Sequence, residues 1–416
     1  MTDPYPLRPV TEDEFEVWAR MIADTYGIDR SDAELAHERA TIEWDRTLAA
    51  FDGDVPVGGA AIYSRTLTVP GAVLPVAGVT AVGVAPTHRR RGILTAMMRR
   101  QLTELHEGGG EPVAVLHPSE GAIYGRYGYG PASRGNQLRC DRRALVFRPG
   151  TDFGDGSVRL LGRDQARPLV EEVYDQVRLA SVGWLDRTER FWAARLFEGS
   201  LFSAGATSLR YAVHRDPDGR ATGYVLYRNR LAQDASGDNA STVEVVELAA
   251  ASRPAYAALW RFLAGIDLLP WIEYEGAVDE PLPHLLLEPR AVRSRVLDRL
   301  WVRLVDVDRA LTSRRYSTPV DLVLEVEDAF CPWNTGRHHL RADGDAVSCE
   351  RTTAAADLVL TSAELGAIFL GGTTLASLAA AGRVREQRPG AVARATVAFR
   401  GEREPVYPGG WAFPLY

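Results

Sequence analysis

The run Val79-Thr-Ala-Val-Gly-Val-Ala-Pro-Thr-His-Arg-Arg-Arg-Gly-Ile-Leu-Thr-Ala-Met-Met-Arg-Arg100 decides how this chain is read. Val79 to Val84 is an apolar, strand-like stretch ended by Pro86. From Ile93 the apolar residues Ile93, Leu94, Met97 and Met98 follow the i, i+1, i+4, i+5 pattern of one helix face. Between the two lie Arg89, Arg90, Arg91 and Gly92. A strand that turns through such a loop into a helix offers unpaired N–H groups and a positive dipole end to an anion. The three guanidinium groups add fixed charge where phosphates would sit. The stretch therefore reads as a diphosphate cradle. It is not a Walker loop, which requires Gly-Lys-Ser/Thr, because the chain has no lysine. Nor is it a Gly-x-Gly-x-x-Gly dinucleotide turn, because only one glycine is present there.

The 416 residues suffice for two to four domains, each with its own core. A formal net charge of −7 argues against nucleic acid as the partner. Cys140, Cys331 and Cys349 are scattered without ligand or disulfide spacing, which predicts no metal site and fits a reducing cytoplasm. No apolar run has the length of a membrane span; Leu358 to Val384 is broken by Glu364, Gly371, Gly372 and Gly382. The first residues have no signal-peptide pattern.

Taken in order, residues 1–145 read as a mixed α/β unit. Thr11 to Glu14 is a helix-start signal ahead of Phe15, Trp18, Met21 and Ile22. Leu48–Phe51 and Val55–Ser64 flank the turn Asp52-Gly-Asp54 as a hairpin. Leu67 to Pro75 reads as a further strand, and Val113 to Leu116 as a buried one. The run His117 to Pro131 then alternates Gly121, Gly125, Gly128 and Gly130 with Tyr124, Tyr127 and Tyr129. Tyr127 and Tyr129 are expected to pack in a core.

Residues 146–290 form a second unit. Its hairpin, Leu209–His214 and Thr222–Tyr227, leads into Ser241 to Trp260, repeating the order hairpin, strand, loop, helix. Here the loop Ala249-Ala-Ala-Ser-Arg-Pro254 has no glycine and a single arginine, so the copy reads as one that kept the scaffold and lost the cradle. Residues 291–416 form a third, α+β unit with helices on an antiparallel sheet, beginning near Trp301 to Val307. Helices are expected at Ser362–Phe369 and Leu375–Ala381, with a last strand at Ala395–Phe399. His338 and His339 are expected in an exposed turn. The chain ends Trp411-Ala-Phe-Pro-Leu-Tyr416, a hydrophobic terminus that suggests docking, and its carboxylate then needs a use.

Arg89-x-x-Gly92 after a strand resembles the pyrophosphate loop of the GCN5-related N-acetyltransferases. The longer runs Val84 to Gly92, Ser119-Glu-Gly121, Ile123 to Pro131 and Pro281 to Leu286 resemble the Eis (enhanced intracellular survival) family within that class, over essentially the whole chain. The resemblance implies tandem acetyltransferase folds, the second degenerate, followed by a sterol-carrier-like domain, assembled as a homohexamer. It implies acetyl-CoA as donor and primary amines of small polycationic molecules such as aminoglycosides as acceptors. Donor contacts carry over onto Val82, Gly83, Val84, Arg90, Arg91, Gly92, Ile93, Leu94, Thr95, Ser119 and Glu120, beside the loop charge of Arg89. The general acid carries over onto Tyr124 and the general base onto the terminal carboxylate of Tyr416. The chain departs from the family at Tyr416, where phenylalanine is more familiar, and at Pro414-Leu415, where an acid can occur. The competing readings are a lysine N-acetyltransferase of proteins or peptides, and a lipid- or sterol-binding protein on a vestigial acetyltransferase scaffold.

Overall fold

A computed structural model describes residues 4–199, 205–410 and 412. Among the described residues, two seven-stranded sheets and one five-stranded sheet carry the chain. The first 131 residues supply β1 (Leu7–Arg8), β2 (Thr47–Asp52), β3 (Val55–Val69), β4 (Ala72–Val84), β5 (Val113–Leu116) and β6 (Gly130–Pro131). Helices α1 (Phe15–Tyr26) and α3 (Ile93–Gly108) cover this sheet, with α2 (Asp32–Arg39) between them in the chain. Trp18 and Ile22 of α1 enter one core with Tyr63 and Val76, whereas Met97 and Met98 of α3 enter another with Val79 and Ala114. The apolar periodicities of the two helices are what put them there. At Thr11 to Glu14 the Glu14 carboxylate accepts from the Thr11 N–H at 3.1 Å, and the helix itself starts at Phe15.

Leu67 to Pro75 is not one strand. Pro70 and Gly71, with φ 69° at the glycine, turn the chain between two long strands, β3 and β4. The second sheet holds β7 (Arg134–Asp141), β8 (Ser157–Leu161), β9 (Arg210–Arg215), β10 (Ala221–Arg230), β11 (Thr242–Ala250), β12 (Trp271–Gly276) and β13 (Val292–Asp298), in the order β13-β7-β12-β11-β10-β9-β8. Strand β14 (Trp301–Leu304), expected to open the third unit, instead returns to the first sheet, whose order is β1-β2-β3-β4-β5-β14-β6. Its Val302 pairs with Val115 of β5.

The two sheets have the same plan. In each, four antiparallel strands lead to one parallel pair, β4 with β5 and β11 with β12, and an antiparallel strand follows. That following strand is exchanged. The second sheet takes β7 from before residue 145, and the first takes β14 from beyond residue 290. The division of the chain at 145 and 290 thus runs across the sheets.

The third sheet has the order β17-β16-β15-β18-β19, from β15 (Val320–Glu327), β16 (Gly336–Asp343), β17 (Ala346–Arg351), β18 (Leu358–Thr361) and β19 (Arg385–Glu386). Helices Ser362–Ile368 and Leu375–Ala380 lie where the sequence puts them. The expected strand Ala395–Phe399 is instead the end of a helix, Ala391–Phe399. Ala391, Ala395, Ala398 and Phe399 face inward at helical spacing, and alanine is the strongest helix former. His338 and His339 are not in an exposed turn. Strand alternation in β16 buries His338, whose Nε2 lies 2.9 Å from the Asn334 carbonyl, and turns His339 toward Asp321. Among the described residues no helix is long and apolar enough to cross a membrane.

Candidate active site

The site starts from a fault in β4. Opposite β3 the register runs Ala61 to Thr80 and then Gly59 to Gly83, so two residues of β4, Ala81 and Val82, face one of β3. Ala81 takes φ 51°, unusual for a residue with a side chain. Such a bulge bends and twists its strand. The ladder between β4 and β5 ends at Gly78 and Val115, so beyond that pair the two parallel strands separate. The separation opens a cleft with the β4 edge Val82–Val84 on one side and the segment after β5 on the other.

The arginine loop closes one end of this cleft. Arg90 and Gly92 both hold left-handed backbone, at φ 63° and 84°, which curls the loop before α3. Gly92 is the N-cap of α3 and has no side chain to cap the first-turn N–H groups, so they stay available to an anion. The cleft, about 540 Å³, is lined by Val82–Val84, Arg89, Arg90, Gly92–Thr95, Ser119, Glu120 and Tyr124. All the sequence-derived donor positions thus converge on one cavity except Arg91. Its guanidinium turns away, donating to the Tyr5 hydroxyl at 2.5 Å and to the Thr87 carbonyl at 3.2 Å.

Tyr124 ends the one-turn helix α4 (Gly121–Tyr124) and is buried, its ring edge-on to Tyr129. Tyr127 also lines the cleft, with its hydroxyl 3.3 Å from Thr95 Oγ1, whereas burial pushes the Tyr129 phenol well above its ordinary pKa. The intervening glycines have a packing reason. A side chain at Gly130 would overlap the Ala363 carbonyl of helix Ser362–Ile368, and one at Gly128 would strike Arg303. The third unit supplies this floor: Phe330 sits edge-on to Tyr127, and Asp328 receives the buried Arg303 guanidinium at 2.5 Å.

Thr25, Tyr26, His88, Ile123 and Arg126 also line the cleft, and no sequence signal assigns them to the donor site. The Tyr26 hydroxyl donates to the Val82 carbonyl at 2.9 Å, so the end of α1 forms one wall of the cleft. Only the tertiary crossing of α1 over β4 brings it there. Tyr416 lies outside the described residues. Upstream of it, the Tyr407 ring lies 5.7 Å from that of His117, two residues before Ser119. Burial, aided by Arg299, lowers the His117 imidazole to about 4 and keeps it neutral near pH 7.

In the second sheet the corresponding cradle is filled. Ser252 caps helix Arg253–Ala264 by accepting from the Ala255 N–H, and Pro254 removes another donor from the first turn. Gly154, on a loop from before β8, lies against that first turn: a Cβ there would meet the Cβ of Pro254 at 3.1 Å. The copy that the sequence reads as eroded has therefore lost its anion-binding end by capping and by cover.

The fold and the cleft define a class. Residues 6–132 and 183–324 each match a family model described as an acetyltransferase (GNAT) domain, and residues 307–408 one described as a sterol carrier protein domain. The chain is a GCN5-related N-acetyltransferase, and such domains imply acetyl-CoA as the donor. An uncharacterized N-acetyltransferase of Streptomyces avermitilis is 42% identical over 415 residues, covering 97% of this chain and 99% of that one. N-acetyltransferase Eis of Mycobacterium tuberculosis is 37% identical over 376 residues, covering 87% and 88%. The crystal structure of Eis1 from Mycobacterium abscessus matches with a TM-score of 0.83 at 35% identity, covering 98% of this chain and all of that one. The chain belongs to the Eis family.

Proposed function

We propose that this chain transfers the acetyl group of acetyl-CoA to a primary amine of a small polycationic acceptor such as an aminoglycoside, by direct attack. The observation that carries the reading is the convergence, in one cleft, of an uncapped helix start, two exposed arginines, a bulged strand edge and Tyr124. Backbone N–H groups from Gly92 to Thr95, with Arg89 and Arg90, would hold the donor's diphosphate. The edge Val82–Val84 would hold the arm that leads to the thioester, with Ser119 and Glu120 opposite. A strand amide near Val82 would stabilise the charge that develops on the thioester oxygen. The Tyr124 hydroxyl would return a proton to the departing thiolate.

An amine is protonated at neutral pH and must lose a proton before it attacks. The carboxylate of Tyr416 is assigned that task. Tyr407, nine residues earlier in the chain, already touches His117, two residues before the cleft residue Ser119, and nine extended residues reach about 30 Å. The Glu120 carboxylate at the cleft suits a cationic acceptor. A homohexamer in the cytoplasm completes the reading, on the family resemblance. The lipid-carrier alternative is disfavoured by Arg314. Its buried guanidinium lies among Tyr316, Phe369 and Phe399 and donates to the Phe399 carbonyl at 2.7 Å, which puts a charge in the apolar interior of the third unit.

The test is thiol release from acetyl-CoA with kanamycin, spermidine and a lysine peptide as acceptors. Stimulation by kanamycin or spermidine is the expected result. Stimulation by the peptide alone would move the assignment to protein lysines, and no stimulation beside tight lipid binding would move it to a carrier.

A further inference from the structure

The second unit has lost its cradle, yet its own cleft is not empty of chemistry. In β11 a bulge falls at Val246, between the pairs Tyr227 to Val245 and Leu226 to Glu247. Glu247 is thus the first residue paired beyond the bulge, the place that Gly83 holds in the first sheet. Its carboxylate is buried and fully engaged. Arg187 donates to both oxygens, at 2.9 and 2.7 Å, Tyr224 donates at 2.5 Å and Arg195 at 3.2 Å. Burial by itself would raise this carboxyl, but Arg187 and Arg195 hold it down at about 2.

The C-terminal segment crosses this cluster. The Arg187 guanidinium also donates to the Gly409 carbonyl at 3.3 Å. Upstream, the Val406 N–H donates to the Val182 carbonyl at 2.9 Å. The segment around Val182 to Arg187 is itself pinned to β3: Gly183 donates to Thr68, Thr68 to Trp184 and Asp186 to Thr66, at 2.9 to 3.0 Å. Arg65 and the Thr66 N–H bind the Asp186 carboxylate, at 3.0 and 2.8 Å. A side chain at Gly410 would strike Arg195, and one at Gly183 would strike the Val406 carbonyl, so the tail lies close against this cluster at both ends. One continuous set of hydrogen bonds therefore runs from the active sheet, through the eroded unit, to the tail.

We infer that the eroded unit serves as a clamp for the C-terminal tail, with Arg187, held by Glu247, as a positioning residue for the terminal carboxylate. The inference rests on the reading of Tyr416 as the base. It gives the second copy a task in turnover through a salt bridge built where the first copy keeps a substrate cleft.

The test uses full-length protein with acetyl-CoA and kanamycin, or spermidine if that is the better acceptor, and deuterium exchange of the peptide spanning residues 405–416. Arg187→Met is expected to lower kcat at least tenfold, to leave the acetyl-CoA KM within twofold, and to speed exchange in the tail at least tenfold. In a chain lacking Tyr416 the same change is expected to lower kcat less than twofold, because the group it positions is already gone. Equal loss in both backgrounds, or unchanged tail exchange, overturns the clamp. Full activity of the chain lacking Tyr416 overturns instead the base on which the inference rests. Arg187→Met leaves Glu247 buried without its main partner, and this variant can fail to fold. Gly183→Ala, which displaces Val406 with the ion pair intact, then gives the same readouts, and the same tail exchange as wild type would overturn the clamp.

Discussion

Arg90 and Gly92, two residues apart, both hold left-handed backbone, and between them they set the curl of the loop that precedes α3. The glycine is required by conformation alone, since a Cβ there meets nothing within 4 Å. Gly92→Ala should therefore cost only the backbone strain of about 1 kcal/mol. Steady-state kinetics are expected to show the acetyl-CoA KM raised about fivefold with kcat within twofold. Arg90→Gly eases the backbone and removes a guanidinium, so any rise in KM there reports charge, and it should shrink at high salt.

Tyr124 and Tyr127 line the same cleft and can be told apart by removing one oxygen from each. Tyr124→Phe is expected to lower kcat by about 10²- to 10⁴-fold while acetyl-CoA affinity, read by calorimetry, stays within twofold. Tyr127→Phe loses one 3.3 Å contact with Thr95 and should change kcat less than threefold.

For the terminal base, the identity of the last side chain matters less than its carboxylate. Tyr416→Phe should keep near-full turnover, whereas deletion of Tyr416 should lower kcat at least tenfold without loss of acetyl-CoA binding. The pH–rate profile of the deleted form should lose its acidic limb.

A buried carboxyl in the second unit makes stability depend on pH. Burial raises Glu280 to about 7, against hydrogen bonds from Tyr256 and the Ala277 N–H that lower it. The folded form thus holds its proton where the unfolded chain, near 4.5, has released it. Stability from this group is present below about pH 4.5 and falls as pH rises to about 7, by about 3 kcal/mol in all. Glu280→Gln is expected to flatten the fall in Tm between pH 5 and 7.5, as read by calorimetric scans.

The cradle was legible because phosphate binding at a strand–helix turn demands particular residues in a short span, and Arg89 to Gly92 supply them. Tyr124, Ser119 and Glu120 came from the family resemblance, and the cavity collects them. What stayed hidden is what depends on distant partners. Arg134–Asp141 and Trp301–Leu304 are sound strands by local pattern, but nothing local says which sheet each joins. Strands of 15 and 13 residues exceed the usual length, and the apolar pattern runs on across the turn at Pro70-Gly71. In Ala391–Phe399 the β-branched Val392, Thr396 and Val397 imitate a strand, while the small alanines that decide the packing leave little trace in a hydrophobic pattern. Tyr26 reaches the cleft only through the crossing of α1 over β4.

The exchange of β7 and β14 also binds the histories of the two copies. A gene cut between them would yield two fragments, each missing the strand beside its parallel pair and each carrying the other's. Neither is an independent module, though the pair, made as separate chains, would be complementary. After the swap, the second copy could shed its phosphate loop without disturbing either sheet, because its sheet is completed by β7 from ahead of it and the first sheet by β14 from behind it. A scaffold kept whole in this way retains its disused cleft, which can then acquire another use.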